Sequence, residues 1–196
     1  MEKIKTLKNE ASAEFTEKKS VFIGYAAPVS SEDGAREFVA KIKKKHADAR
    51  HNVSAYILSG GVMHSSDDGE PSGTAGVPVL EVIKKSDIMN AVVVVTRYFG
   101  GILLGASGLA NAYKTAARDA IEHAEIIEKT INIRYRLQFE YALMNDVMRV
   151  IKEYGLTPLN QDFNLDCRLE IEVRQSQSVR LYDTIAKLRG VKIETV

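Results

Sequence analysis

Most of the residues in this chain whose types and spacing could do chemistry lie in two glycine-rich stretches. Residues 67–76 read DDGEPSGTAG, and residues 97–105 read RYFGGILLG. Seven of the 13 glycines lie between Gly69 and Gly108, although a glycine costs about 0.5–1 kcal/mol wherever regular structure would accept alanine. Because each stretch lies where a loop meets an expected helix, exposed backbone N–H groups can converge on an anion there. The sequence therefore predicts a binding site for an anionic group in this region.

The second stretch supplies the predicted phosphate or nucleic-acid contacts. Arg97 ends a strand, and Gly105 and Ser107 open a helix, so an oxyanion there would meet backbone N–H groups and one guanidinium. The predicted binding residues are Arg97, Tyr98, Gly100, Gly101, Gly105, Ser107, Asn111 and Lys114. A structural interpretation stays open beside this one, in which Arg97 pairs with a carboxylate of the first stretch and locks the two stretches together.

The first stretch is acidic and suggests a second kind of chemistry. Asp67, Asp68 and Glu70 place three carboxylates within four residues, near His64 and within folding reach of His51. Such a set could hold a divalent cation or supply a general base, as in a metal-assisted hydrolase. The alternative is that acidic residues before a helix only satisfy its N–H groups. The sequence offers no second carboxylate cluster to complete a cage, so we expect no metal and no other cofactor.

Several familiar catalytic patterns are missing from the chain. The run from Gly73 to Gly76 lacks the Gly-Lys-Ser/Thr ending of a phosphate-binding loop, and the glycines of residues 100–105 have the wrong spacing for a dinucleotide fingerprint. No serine lies in a nucleophile-elbow setting, and Cys167 lies on the inward side of an expected strand. The sequence therefore leans towards a protein that is not an enzyme.

Composition restricts the classes of partner. Lys+Arg 27 against Asp+Glu 26 gives a net charge of +1, so any nucleic-acid binding must come from a local patch. A single cysteine excludes an internal disulfide. Residues 1–8 lack the apolar core of a signal peptide, and the longest apolar run, residues 91–95, is too short to span a membrane. We expect a soluble, cytoplasmic protein with no membrane partner.

Residues 1–128 are predicted to form one domain, which positions both glycine-rich stretches. Strands are expected over residues 20–29, 53–58 and 91–96, with helices after residue 31, over 77–83 and over 106–124. The five-residue apolar run that begins at Ala91 suits a strand covered on both faces. This alternation of strands and helices predicts an α/β or α+β fold.

Residues 129–196 are predicted to form a second domain. Apolar and polar residues alternate over residues 131–140 and 165–174, which is typical of half-buried strands. Amphipathic helices that end at Gly155 and Gly190 follow these strands, and further strands are expected near residues 157–161 and 191–196. The resulting order, βαββαβ, is the ferredoxin-like plan.

The motifs of the two stretches also resemble a known family. Residues 67–76 and 93–105, together with residues 50–56 (RHNVSAY), resemble the IMPACT/YigZ family, and the resemblance extends over the whole chain. It implies an α+β protein whose first domain has the β-α-β fold of a small-subunit ribosomal protein and elongation factor G. It also implies a ferredoxin-like tail resembling another elongation-factor domain. The family motif falls on His51, Asp67, Asp68, Glu70, Gly73, Arg97, Gly100, Gly101 and Gly105, without a settled catalytic role.

The resemblance also implies a cellular role. Eukaryotic relatives are regulators of translation initiation, and RNA or ribosome association is the usual proposal for the bacterial members. Three hypotheses follow for this chain. The first is a translation-associated protein that binds RNA or the ribosome through the glycine-rich groove, the second is a metal-assisted hydrolase of a small phosphorylated or peptide substrate, and the third is a module that binds a protein partner.

Overall fold

The computed structural model describes residues 3–196, which divide into two compact units. Residues Lys5–Lys129 form the first unit, and Thr130–Val196 with Lys3 and Ile4 form the second. Residues 1 and 2 lie outside the described residues. Two expectations include them: the first domain, which was expected to begin at residue 1, and the absence of a signal peptide over residues 1–8. Helices and sheets occur in both units, so the chain is a mixed α and β protein. Among residues 3–196, no helix is both long and apolar enough to cross a membrane.

The first unit is built on a five-stranded antiparallel sheet. The elements over residues 3–130 are β1 (Lys3–Leu7), β2 (Ala11–Glu17), β3 (Ser20–Pro28), α1 (Glu32–Lys45), β4 (His51–Ile57), β5 (Met63–Ser66), α2 (Gly76–Lys85), β6 (Ala91–Tyr98), α3 (Gly105–Glu122) and β7 (Ile126–Thr130). The strand order in this sheet is β2-β3-β6-β4-β5, and β1 pairs with β7 in a separate two-stranded sheet. The three strands and three helices expected from the sequence are confirmed, whereas β1, β2, β5 and β7 were not expected.

The valines of β6 explain why its sequence does not alternate. Val93 and Val95 pack in one core with α2 and α3, whereas Val92 and Val94 pack in a second core with Phe38 of α1. Helices cover both faces of the central strand, so every position along its first part is buried. The expectation of a strand covered on both faces is confirmed.

Helix α3 lies unusually close to the sheet. Gly24 of β3 faces the backbone of Ala116, and a Cβ at this position would overlap the Ala116 carbonyl oxygen. The facing side of α3 carries further small residues, Ala112 and Ala120, which are almost fully buried. This contact fixes the position of α3 on the sheet, and with it the location of the helix N-terminus.

The second unit is a four-stranded antiparallel sheet with two helices. Its elements are β8 (Asn132–Glu140), a 3-10 turn (Tyr141–Leu143), α4 (Met144–Glu153), β9 (Pro158–Phe163), β10 (Asp166–Arg174), α5 (Gln175–Ala186) and β11 (Lys192–Thr195). The strand order is β11-β8-β10-β9. The element order βαββαβ and the helix ends near Gly155 and Gly190, both at positive φ, agree with the sequence.

Candidate functional site

A cleft of about 670 Å³ lies in the first unit, where the two glycine-rich stretches meet. The start of β4, the loop before α2, the loop after β6 and the first turn of α3 form its walls. The lining residues are Arg50, His51, Gly69, Glu70, Pro71, Arg97, Phe99, Leu103, Leu104, Gly105, Ala106 and Leu109. Of the residues expected from the sequence, the structure brings together His51, Glu70, Arg97 and Gly105.

A buried ion pair forms the floor of this cleft. Arg97 Nη1 donates to Glu70 Oε1 at 2.6 Å, and the two side chains are only 6% and 3% exposed. The Tyr113 hydroxyl donates to the same oxygen at 2.8 Å. Glu70 therefore neutralises the charge of Arg97. Of the two interpretations left open for Arg97, the structure supports the one in which it pairs with a carboxylate of the first glycine-rich stretch, and we correct the expectation of a free guanidinium.

The environment of this pair holds its hydrogen bonds in place. Burial, and then the adjacent Glu70 carboxylate, raise the pKa of Tyr113, so its hydroxyl keeps the proton that it donates. The Arg97 guanidinium also lies near the rings of Phe22 and Phe99, at 5.6 and 5.3 Å from their centroids. Its Nε is buried and has no hydrogen-bond partner within the described part of the chain. One donor of this arginine is thus left unused beside the cleft.

His51 lines the cleft and is held by the loop before α2. Its Nδ1 lies 2.9 Å from the backbone carbonyl oxygen of Asp68. Because a carbonyl can only accept, Nδ1 carries the proton, and Nε2 is the acceptor in the neutral imidazole. Nε2 lies 3.9 Å from Glu70 Oε1, which is too far for a hydrogen bond. A ligand in the cleft would therefore meet His51 as a hydrogen-bond acceptor.

The Asp67 carboxylate fills the N-terminus of α2. It accepts from the backbone N–H groups of Gly73 at 2.8 Å, Ala75 at 3.1 Å and Gly76 at 2.7 Å. Burial alone would raise the pKa of Asp67, but the three N–H donors together outweigh it and lower that pKa. The chain's own carboxylate thus occupies the donors at this helix end, as in the alternative in which the acidic residues before a helix satisfy its N–H groups.

The three acidic residues of the first stretch have three different partners. Asp68 accepts from Lys43 Nζ at 2.6 Å and from the Asn52 N–H at 2.7 Å. Asp67 and Glu70 are engaged by α2 and by Arg97, respectively. Within residues 3–196, no group of three or more His, Cys, Asp or Glu side chains is placed to hold a metal ion. The acidic stretch thus stabilises the loops rather than forming a shared cage.

The N-terminus of α3 is open. Nothing among residues 3–196 accepts a hydrogen bond from the backbone N–H groups of Gly105, Ala106 or Ser107, and the first turn contains no acidic residue. By contrast, Ser31 Oγ caps α1 through the Gly34 N–H, and Asp67 caps α2. Gly105 and Ala106 line the cleft, so the partial positive charge of this helix end faces it.

Three of the expected binding side chains lie elsewhere. The Tyr98 hydroxyl donates to Asp48 at 2.9 Å and lies 2.9 Å from the Nδ1 atom of His46. Lys114 pairs with Glu81 at 2.8 Å. Asn111 lines a separate depression beside β2. We correct the expectation that these three side chains converge with Arg97. Tyr98 follows Arg97 on β6, so its side chain points to the opposite face of the sheet, and Asn111 and Lys114 lie on parts of α3 outside the cleft.

Two of the expected glycines shape the loop after β6. The Gly100 N–H donates to Ser20 Oγ at 3.2 Å, and a Cβ on Gly100 would overlap the backbone of Lys19. Gly101 has a φ of +84°, which only glycine adopts easily. Neither residue lines the cleft. The two glycines turn the chain towards α3, and their role as phosphate contacts stays a prediction.

Arg50, Phe99 and Leu103 line the cleft but were not selected as binding residues from the sequence. Arg50 and Phe99 are both exposed, and Leu103 is 82% exposed. Two features of the sequence could have identified them: Arg50 directly precedes His51, and Phe99 is an aromatic residue inside the second glycine-rich stretch. The chain thus presents a cation and apolar surface beside the open helix end.

Comparisons with known proteins give related sequences and related structures. A sequence model described as the Impact N-terminal domain matches residues 18–121, more than half of the chain. The IMPACT family member YvyE of Bacillus subtilis is 36% identical over 177 residues, which cover 88% of this chain and 82% of that protein. The IMPACT family member YigZ of Escherichia coli is 35% identical over 150 residues, or 74% of each chain. A crystal structure of a hypothetical protein superposes with a TM-score of 0.74 at 28% identity and covers 100% of this chain and 98% of its own.

Proposed function

The chain belongs to the IMPACT family, and we propose that it is a translation-associated regulatory protein that binds RNA, alone or on the ribosome, through the cleft at the start of α3. The link to translation is supported by the resemblance to this family, because its eukaryotic members regulate translation initiation. The same resemblance supports the proposed division into a ribosomal protein or elongation factor G type domain over residues 1–128 and a ferredoxin-like domain over residues 129–196. The observation that carries the binding proposal is the uncapped N-terminus of α3, which opens on this cleft.

The cleft offers the three kinds of contact that single-stranded RNA uses. Backbone N–H groups at the start of α3 suit a phosphate. Arg50, which is exposed and has no ion pair within the described residues, adds a positive charge. Phe99 is 43% exposed, and such a ring provides a stacking surface for a base. A groove with this composition fits a phosphate followed by a base.

The number of unpaired cations limits the strength of binding. Arg97 is neutralised by Glu70, and Lys114 is paired with Glu81 outside the cleft. Among the described residues that line the cleft, only Arg50 and the helix end remain, so about two negative charges of phosphate are neutralised, and the expected log–log salt slope for a single strand is about −1.4. We therefore expect weak binding with a shallow dependence on salt.

A salt titration tests this proposal. The anisotropy of a labelled single-stranded RNA is measured against protein between about 50 and about 200 mM salt. We expect Arg50→Ala to weaken binding and to reduce the slope by about 0.7. Arg36→Ala is the matched control, because Arg36 is an exposed arginine of the same unit that pairs with Glu32 and Asp33 on α1. Equal loss in both variants, or an affinity that does not change with salt, would overturn the proposal.

A protein partner is the second candidate, and one observation favours it. Ile102 and Leu103, beside the cleft, are 41% and 82% exposed. Exposed apolar side chains next to each other are typical of an interaction surface. A pull-down whose partner survives nuclease treatment but is lost with Leu103→Ser supports this candidate. Capture that depends on intact RNA counts against it.

A further inference from the structure

We propose that the cleft holds a single ribonucleotide with a terminal phosphate monoester, either a free 5′-mononucleotide or the 5′-phosphorylated end of an RNA. This inference rests on the proposed function and names its ligand. The cleft volume of about 670 Å³ lies within the range of small-molecule pockets. The donors are concentrated at one helix end instead of being repeated along a track. The site therefore suits one nucleotide and not a run of internal phosphates.

The donors of the site match a terminal phosphate. Gly105, Ala106 and Ser107 each have an N–H group without an acceptor in the described chain, and Arg50 adds a cation. A monoester presents three terminal oxygens and up to two negative charges, whereas an internal diester presents two oxygens and one charge. Buried Arg97, which also lines the cleft, retains an Nε donor without a partner within residues 3–196. These donors together favour the monoester.

The same cleft also presents acceptors, which an internal phosphodiester cannot satisfy. His51 Nε2 is an acceptor in the neutral imidazole, and the Glu70 carboxylate lines the cleft beside it. A phosphodiester has no proton to share with either group. A phosphate monoester has a second pKa of about 6, so its protonated oxygen can donate a hydrogen bond, which a diester cannot do. Ribose hydroxyls can donate to the remaining acceptors, which distinguishes a ribonucleotide from inorganic phosphate.

The remaining wall of the cleft is apolar. Pro71, Phe99, Leu103 and Leu109 contribute to it, and Phe99 presents an aromatic face. A nucleobase is flat and apolar on its faces, so it suits this wall better than water does. Phosphate, sugar and base thus each have a wall of matching chemistry.

The experiment compares RNAs that differ only in the 5′ group. Affinities of the full chain are measured for a short single-stranded RNA with a 5′-phosphate and for the same RNA with a 5′-hydroxyl. We expect the phosphate to strengthen binding about tenfold, because it accepts charge-assisted hydrogen bonds from the free N–H groups that a 5′-hydroxyl does not replace. A 5′-ribomononucleotide should compete for the same site, and inorganic phosphate should compete less well. The relative affinities of the two separate the sources: a mononucleotide that binds more tightly than the 5′-phosphorylated RNA indicates the free ligand, and the reverse indicates an RNA end.

A backbone substitution tests the donors themselves. Ala106→Pro removes one N–H in the first turn of α3, where proline is compatible with a helix. We expect the preference for the 5′-phosphate to fall from about tenfold to about threefold, because one of several donors is lost. Asp33→Pro, in the first turn of α1 and outside the cleft, is the matched control and should keep the preference. Thermal melts of both variants establish that they fold.

The outcomes separate this inference from the proposed function. Equal affinity for the two RNAs, together with loss in Arg50→Ala, overturns the inference and leaves RNA binding standing. No binding of either RNA overturns both. Inorganic phosphate that competes as well as the mononucleotide overturns the ribonucleotide assignment. A deoxyribonucleotide end that binds as well as the ribonucleotide end contradicts the role of the sugar hydroxyls.

Discussion

Replacing Glu70 with glutamine tests whether a buried ion pair holds the cleft together. The Glu70 and Arg97 side chains are 3% and 6% exposed, and their charged atoms lie 2.6 Å apart. Glu70→Gln keeps the size of the side chain and an oxygen for the Tyr113 hydroxyl, but it removes the negative charge. Arg97 is then a buried cation without a counter-ion. Removing one partner of such a pair lowers the free energy of unfolding by about 3–5 kcal/mol.

The size of this effect makes it easy to measure. For a chain of this length, 1 kcal/mol shifts the melting temperature by about 2–4 °C, so we expect Glu70→Gln to melt about 10 °C lower. Glu10→Gln is the control, because Glu10 and Lys41 are 2.8 Å apart but 57% and 59% exposed. An exposed pair contributes about 0–1 kcal/mol and is screened by salt, whereas the buried pair should keep its effect in high salt.

A double-mutant cycle in urea completes the test. Arg97→Met removes the other partner, and we expect the Glu70→Gln/Arg97→Met variant to be less destabilised than the sum of the two single variants by about 2 kcal/mol or more. The reasoning is refuted if the two effects add, or if Glu70→Gln destabilises no more than Glu10→Gln. Either result would mean that the pair is not a coupled part of the folded structure.

The remaining predictions concern the contacts that position the cleft. Gly24→Ala should lower the free energy of unfolding by about 2–3 kcal/mol in urea, because the added Cβ overlaps the Ala116 carbonyl; an unchanged midpoint would contradict the close approach of α3. Gly100→Ala should cost more than Gly101→Ala, because a Cβ at the first position overlaps the β2–β3 turn, whereas the second has open space and only a positive φ. Burial, and then a neighbouring lysine, lower the pKa of His46 below 6.5. The folded state thus binds fewer protons at His46 than the unfolded state does. The contribution of His46 to stability is therefore complete above about pH 6.5 and is lost as the pH falls through its lower, folded-state pKa. Measured by urea unfolding at about pH 7.5 and about pH 5, the free energy of unfolding should change less with pH for His46→Gln than for the wild type. An equal change in both proteins would contradict the lowered pKa of His46.

The elements that the sequence predicted are those with strong patterns. The apolar periodicity of α3 and the valine run of β6 predict a helix and a buried strand, and the structure has both. Strands β2 and β5 were not expected, because they are edge strands with mostly exposed or half-buried residues. Their pairing with β3 and β4 supplies hydrogen bonds that leave little trace in the hydrophobic pattern.

The location of the candidate site was also available from the sequence, since the two glycine-rich stretches do meet. The sequence did not show which charged side chains pair within the site. Asp67, Asp68 and Glu70 lie within four residues, and each was an equal candidate to pair with Arg97. The path of the loop assigns Glu70 to Arg97 and Asp67 to the α2 N-terminus.

Composition and periodicity thus determined the helices and the well-buried strands, and where glycine loops approach one another. Tertiary structure decided which donors remain available: those of α2 are occupied by Asp67, and those at the start of α3 are not. The physical reason is that burial depends on summed apolar area, which a linear pattern records. A hydrogen bond depends on distances of about 3 Å between groups far apart in sequence, which only the folded backbone sets.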